Sequence, residues 1–297
     1  MSSLNKVFMT SFFNSIVLYL LAAATPALAQ QPIKIDTASV TRHGPEHGSL
    51  LIIGGNVGNT ASVWNKFVEL AGGKEKARIV VVTAASGDSA AYDQKDINEI
   101  KKITGIKDVT LLHASSLPEA NSDRFIAPVE RATGVYFVGG RQWRIADAYL
   151  NTRTHQAFFD VLKRGGVIAG SSAGATIQGS FLWRGDTSGA ETLIGDHVQG
   201  LGFLKNAAID QHLMKRNRQF DLVDFIKVSP KLIGIGLDEA TAIVVQKDTI
   251  QVVGKSYVAI YDHDTILKKN IPFLLLKEGE RYDLKNRVLI SPPKTAK

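Results

Sequence analysis

From residue 49 onward, short uninterrupted apolar runs alternate with stretches whose apolar positions recur every three or four residues. Residues 49–53 (SLLII) close on Gly54-Gly55. Such a run reads as a strand covered on both faces, because a strand with one wet face would alternate. Val63, Trp64, Phe67, Val68 and Leu70 fall at helical spacing across 60–70, with Gly72-Gly73 as the stop. The pattern then repeats, with strands expected over 78–83, 109–113, 134–138 and 166–170. Helices are expected over 90–103, 118–131, 143–150 and 155–163, and another can open at Ala173. Alternation with turns of a few residues predicts an α/β fold, a mostly parallel doubly wound sheet with helices on both faces. Beyond residue 230 the texture changes to short β-rich runs at 231–237, 242–246, 249–253 and 256–261. Gln246-Lys247-Asp248 and Gly254-Lys255 look like tight turns between them, which predicts an antiparallel β extension appended to the sheet. Neither an internal repeat nor a linker interrupts the chain, so residues 30–297 are expected to form a single domain.

The N-terminus departs from this pattern. Lys6, an apolar run over 8–24 and the triplet Ala27-Leu28-Ala29 read as a secretory signal over 1–29, cleaved before Gln30. The mature protein is therefore expected in the periplasm or outside the cell. No later stretch approaches the ~18 apolar residues of a spanning helix, so no stable membrane insertion is expected after cleavage. Hydrophobic residues at 44% with aromatics at 8% exclude a disordered chain. The absence of cysteine excludes a disulfide scaffold, thiolate metal sites and a cysteine nucleophile. The formal charge of +7 is scattered, and its densest cluster is Lys215, Arg216 and Arg218, so no nucleic-acid partner is read from it.

Reactive groups of a doubly wound sheet gather at the carboxyl ends of its strands. Gly54-Gly55, Thr83 to Gly87, Gly139-Gly140 and Ser171-Ser172 all fall at such ends. Gly170-Ser171-Ser172-Ala173-Gly174 is a G-x-S-x-G between an expected strand and an expected helix. A sharp turn there would expose the central Ser172 oxygen, with Ser171 as the competing hydroxyl. A serine nucleophile needs a base, and seven histidines are available. His43 and His47 imitate an i, i+4 metal pair, but Gly44 and Pro45 between them argue for a loop, so no metal or cofactor is expected. His113 ends a strand. His212 stands out because Asp210, Gln211, Lys215, Arg216 and Arg218 crowd around it in sequence.

Four blocks occur in a set order: Gly139-Gly140-Arg141-Gln142; Gly170 to Ala175; Asp210-Gln211-His212 with Arg216 and Arg218; and Gly234 to Glu239 with Thr241-Ala242. Together they resemble the motifs of the cyanophycinase family of serine peptidases. That family is related to the aspartyl dipeptidases and has a class I glutamine-amidotransferase-like α/β fold. The resemblance implies Ser172 as nucleophile, His212 as general base and Glu239 as the acid that orients the imidazole, following triad logic. Asp238 is the second choice for the acid, and strand alternation turns the two carboxylates opposite ways. The Gly140 and Ala173 amides become the oxyanion-hole candidates. Gln142, Gln211, Arg216 and Arg218 become the substrate-binding candidates, the arginines by clamping carboxylates.

The implied activity is cleavage of β-aspartyl peptides, above all the aspartate–arginine polymer cyanophycin. Two departures alter charge near the expected pocket. Asp221 stands where the family carries a third arginine, and Arg141 follows the glycine pair where aspartate is usual. A related acidic peptide or an α-aspartyl exopeptidase specificity therefore stays open beside cyanophycin, as do a non-catalytic peptide-binding role and a homodimer. A glutamine amidotransferase is excluded because that chemistry uses cysteine.

Overall fold

The computed structural model describes residues 42–90, 93–114 and 116–290, so the expected signal over 1–29 lies outside the described residues. In chain order the strands are β1 (Ser49–Ile53), β2 (Arg78–Val82), β3 (Asp108–Leu112), β4 (Gly134–Phe137), β5 (Val167–Ser171), β6 (Gly179–Phe181) and β7 (Leu204–Gln211). They continue with β8 (Ile233–Leu237), β9 (Thr241–Gln246), β10 (Thr249–Gly254), β11 (Val258–Tyr261), β12 (Leu274–Leu276), β13 (Arg281–Asp283) and β14 (Val288–Ile290). The larger sheet runs β14-β13-β10-β9-β1-β5-β4-β2-β3. Its five strands β1 to β5 are parallel, and β9, β10, β13 and β14 extend it antiparallel beyond β1. As the continuous apolar runs predict, β1, β4 and β5 are buried at every position.

Helices Ala61–Leu70 and Lys95–Thr104 carry the chain outward from β1 to β2 and from β2 to β3. Leu117–Ala120 with Asp123–Arg131, then Gln142–Tyr149 with Arg153–Lys163, bring it back through β4 to β5. Right-handed crossovers of opposite direction place these two sets on opposite faces. Accordingly Ala61–Leu70 packs on Lys95–Thr104, and Asp123–Arg131 packs on Arg153–Lys163. The turn after β5, Ala173–Thr176, touches Gln142–Tyr149 on the return face. Neighbouring strands β1 and β5 thus send their chains to opposite faces, which opens a crevice beyond their carboxyl ends.

Three sequence expectations need correction. Residues 118–131 are not one helix: Ser122 starts a second one by accepting the Phe125 amide hydrogen, and Asn121 ends the first. The helix expected from residue 90 begins at Lys95, after two short 3-10 turns. The β-rich runs past 230 do not all join the main sheet. Those at 242–246 and 249–253 do, as the β9–β10 hairpin, whereas β8 and β11 belong to a second sheet ordered β12-β11-β8-β7-β6. There β8 runs parallel to β7, a strand whose polar Lys205, Asn206, Asp210 and Gln211 hid it from a hydrophobic reading.

Candidate active site

The end of β1 organises the site through its backbone. The carbonyls of Ile53, Gly54 and Gly55 accept, in turn, the N–H groups of Ser172 (3.0 Å), His212 (2.8 Å) and Ala240 (3.0 Å). Three segments far apart in sequence, following β5, β7 and β8, are therefore docked onto three consecutive residues of one strand end. Ser172 turns the chain with φ +57° and ψ −113°, a conformation rarely adopted by residues bearing a Cβ. Gly174 makes this turn feasible, since a Cβ there would overlap the Phe137 carbonyl, 2.7 Å from its carbon. His212 and Ala240 also hold positive φ, at +54° each.

The side chains then line up. Ser172 Oγ lies 2.9 Å from His212 Nε2, and His212 Nδ1 lies 2.8 Å from Glu239 Oε1. Asn56, directly after the strand end, donates from Nδ2 to the other Glu239 oxygen at 3.0 Å. Burial pushes the His212 imidazole below the ordinary histidine range, Arg216 and Arg218 add to this, and Glu239 pulls the other way. Burial works to raise the Glu239 carboxyl, but Asn56, His212 and Lys215 outweigh it and hold the group below its usual value. The imidazole rests on Gly55: a Cβ at that residue would fall 2.6 Å from Nδ1 and 2.8 Å from Nε2.

Asp238 faces away from Glu239, as alternation predicts. Its Oδ1 accepts the Met214 and Lys215 amides at 3.1 Å each, and its Oδ2 accepts the Ser256 hydroxyl at 2.7 Å. It braces the loop that follows His212. The Gly139-Gly140 turn lies against the serine, since a Cβ at Gly139 would sit 3.8 Å from Ser172 Oγ. Ala173 opens a helical turn, so its N–H has no partner within that turn, and among the described residues neither it nor the Gly140 N–H donates to another backbone group.

The substrate candidates separate. Arg216 is exposed. Arg218 is not the free clamp that the sequence suggests: it is 2% exposed, and Nη1 donates to Gln211 Oε1 at 2.7 Å while Nη2 donates to Glu191 Oε1 at 2.8 Å. Gln211 is engaged by that bond. Gln142 is likewise committed, its Nε2 donating to the carbonyls of Trp183 (3.0 Å) and Arg184 (2.7 Å), so both amides brace neighbouring segments. Arg141 donates to the Asp186 carbonyl at 2.7 Å.

Sequence reading missed Arg184, Asn56 and the docking role of β1. Arg184 is buried and forks onto Asp210, Nε to Oδ1 at 2.9 Å and Nη2 to Oδ2 at 3.1 Å. It also pairs with Asp221, so the residue that departs from the family pattern has a cation of its own. Trp183 Nε1 donates to Asp210 Oδ2 at 3.1 Å. Nothing in the Trp183-Arg184 sequence announces this, whereas Asn56 could have been suspected from its place after Gly54-Gly55. Among the described residues no cluster of three or more His, Asp or Glu side chains could hold a metal ion, and His43 pairs with Asp248 instead. Nor is any helix there long and apolar enough to cross a membrane.

Comparison with known proteins places the chain. The profile of Peptidase family S51 matches residues 50–253. A cyanophycinase of Geminocystis herdmanii is 28% identical over 257 residues, covering 80% of this chain and 94% of that protein. A cyanophycinase of Synechococcus elongatus is 26% identical over 280 residues, covering 88% of this chain and 85% of that one. The crystal structure of a peptidase from an acI-B1 Actinobacterium shares the fold, with a TM-score of 0.60 at 24% identity over 81% of this chain and 98% of that one. The chain belongs to peptidase family S51 and is a serine-type peptidase acting on peptide substrates.

Proposed function

We propose that this S51 peptidase is an exported hydrolase of β-aspartyl or related acidic peptides that works through a Ser172–His212–Glu239 triad and an acyl-enzyme. The observation that carries the reading is the continuous chain from Ser172 Oγ to Nε2 and from Nδ1 to Glu239, at 2.9 and 2.8 Å, set on a strained strand-to-helix turn. Ser172 Oγ attacks the scissile carbonyl carbon and passes its proton to His212 Nε2. Glu239 fixes the tautomer with hydrogen on Nδ1 and stabilises the imidazolium that forms. The Gly140 and Ala173 N–H groups receive the developing oxyanion. The imidazolium then protonates the leaving amine, the C–N bond breaks, and the acyl group stays on Ser172. Water attacks this ester with His212 again as base, releasing the acid and restoring the serine.

The substrate class rests on the named activity of the two relatives and on the cations beside His212, with exposed Arg216 the residue placed to meet a carboxylate from solvent. Export rests on the leader pattern over 1–29. The test is labelling of the mature protein with a fluorophosphonate probe, followed by hydrolysis of β-Asp-Arg, α-Asp dipeptides and neutral peptides. Labelling lost in Ser172→Ala and kept in Ser171→Ala, with β-Asp-Arg the preferred substrate, is expected. Absence of labelling in the wild type would leave a peptide-binding protein, and a preference for α-Asp dipeptides would move the specificity to that class.

A further inference from the structure

Between β6 and β7, residues 184–197 fold back on themselves beside the site. Arg184 donates its N–H to the Leu193 carbonyl at 2.9 Å, and His197 donates to that of Gly185 at 2.8 Å. Gln142 and Arg141, from the segment after Gly139-Gly140, hold the foot of this strap at residues 183, 184 and 186. Its far end carries Glu191, whose Oε1 lies 2.8 Å from Arg218 Nη2 and whose Oε2 lies 3.8 Å from Arg184 Nη1. The partners differ sharply in access: the Glu191 side chain is 80% exposed, while both guanidinium groups are buried.

The charges around this contact are unequally met. Asp210 and Asp221 already serve Arg184. Arg218 reaches Asp210 only at 3.8 Å and has neutral Gln211 on its other edge, so Glu191 is its one close carboxylate among the described residues. Arg216 adds a further positive charge nearby: it acts on Glu191 and on His212 alike, as Arg218 does. A buried guanidinium requires a counter-ion, but that counter-ion need not be a particular one. A solvent-held carboxylate on a flexible stem contributes little and is readily exchanged.

We propose that Glu191 is the protein's own occupant of the cationic site at Arg184 and Arg218, and that it sets specificity by competing there with a substrate carboxylate. The proposal rests on the peptidase reading for the nature of the ligand. Acidic substrate enters by displacing the Glu191 side chain outward, so the resting pocket discriminates against weakly acidic ligands.

The test is calorimetric titration of wild type and Glu191→Gln with N-acetyl-L-aspartate and with the uncharged N-acetyl-L-asparagine amide. The variant is expected to bind the aspartate derivative about two- to fivefold more tightly, the range an exposed ion pair supports. The uncharged ligand should bind both proteins alike, and the gain should shrink in ~1 M salt. With a cleavable acidic peptide, KM should fall relative to that for a neutral one. Equal or weaker binding by the variant, an equal gain for both ligands, or no measurable binding of the aspartate derivative by either protein would overturn the proposal. Fluorophosphonate labelling of the same samples reports separately on the serine chemistry, so a failure of labelling with the binding difference intact would count against the peptidase mechanism alone.

Discussion

Gly55→Ala perturbs the proposed base while leaving Ser172, His212 and Glu239 themselves unsubstituted. The added Cβ would stand 2.6 Å from His212 Nδ1 and 2.8 Å from Nε2, whereas unbonded heavy atoms settle at ~3.5 Å or more. The nearest ring atom, Cε1, would lie only 2.3 Å from that Cβ, so the ring must retreat by about 1.2 Å. It is held at both ends, at 2.9 Å by Ser172 and 2.8 Å by Glu239, so no such retreat preserves both bonds. A misplacement of ~1 Å in a reacting constellation costs about 10²-fold in rate, equivalent to ~2.7 kcal/mol of barrier. The φ of +132° at this residue adds ~1–3 kcal/mol of strain to the folded state, so rates are to be measured well below the melting transition. The assay is the second-order rate of fluorophosphonate labelling in wild type, Gly55→Ala, His212→Ala and the double variant. If the methyl acts through the imidazole, the roughly hundredfold loss is present in the wild-type background and absent once His212 is gone. A labelling rate within about threefold of wild type, or the same loss in the His212→Ala background, would refute the reasoning.

Two other outcomes follow from the electrostatics. In the proposed mechanism His212 acts as base only when neutral, so the rate should rise with pH through its pKa, which burial sets below the ordinary value of ~6.5. Glu239→Gln removes a group that raises that pKa, so the acid limb of kcat/KM should move to still lower pH while the plateau falls by about 10² or more; a limb that stays put or moves up would contradict the assigned contact. Asp210→Asn breaks a buried fork with Arg184 and should lower unfolding stability by about 3–5 kcal/mol in urea titration, and a loss under ~1 kcal/mol would show that Asp221 alone satisfies the arginine.

The legible parts of this chain are those where one residue type answers to one demand. Burial on both faces requires continuous apolar runs, so β1 and β5 are plain in the sequence, and a sharp strand-to-helix turn requires small neighbours, so the turn at Ser172 is plain too. The second sheet was obscured because β7 must both fill a core and deliver Asp210, Gln211 and His212 to its end, which breaks its apolar pattern. Arg218 illustrates a different limit. Its spacing from His212 suggests a clamp, but whether a guanidinium meets substrate or its own protein depends on Glu191 and Gln211, which only folding brings to it. The docking at 53–55 uses carbonyls that every residue possesses, so no side chain could have signalled it.

That last feature bears on how sequences of this kind can drift. Because the receiving groups belong to the main chain, Ile53 can be exchanged for other apolar residues without altering what it offers to Ser172. An insertion or deletion between Ile53 and Gly55 is another matter: each incoming segment would meet its neighbour's acceptor, and the hydroxyl, ring and carboxylate would slip out of phase together. The spacing of this short stretch is thus more tightly constrained than most of its lettering.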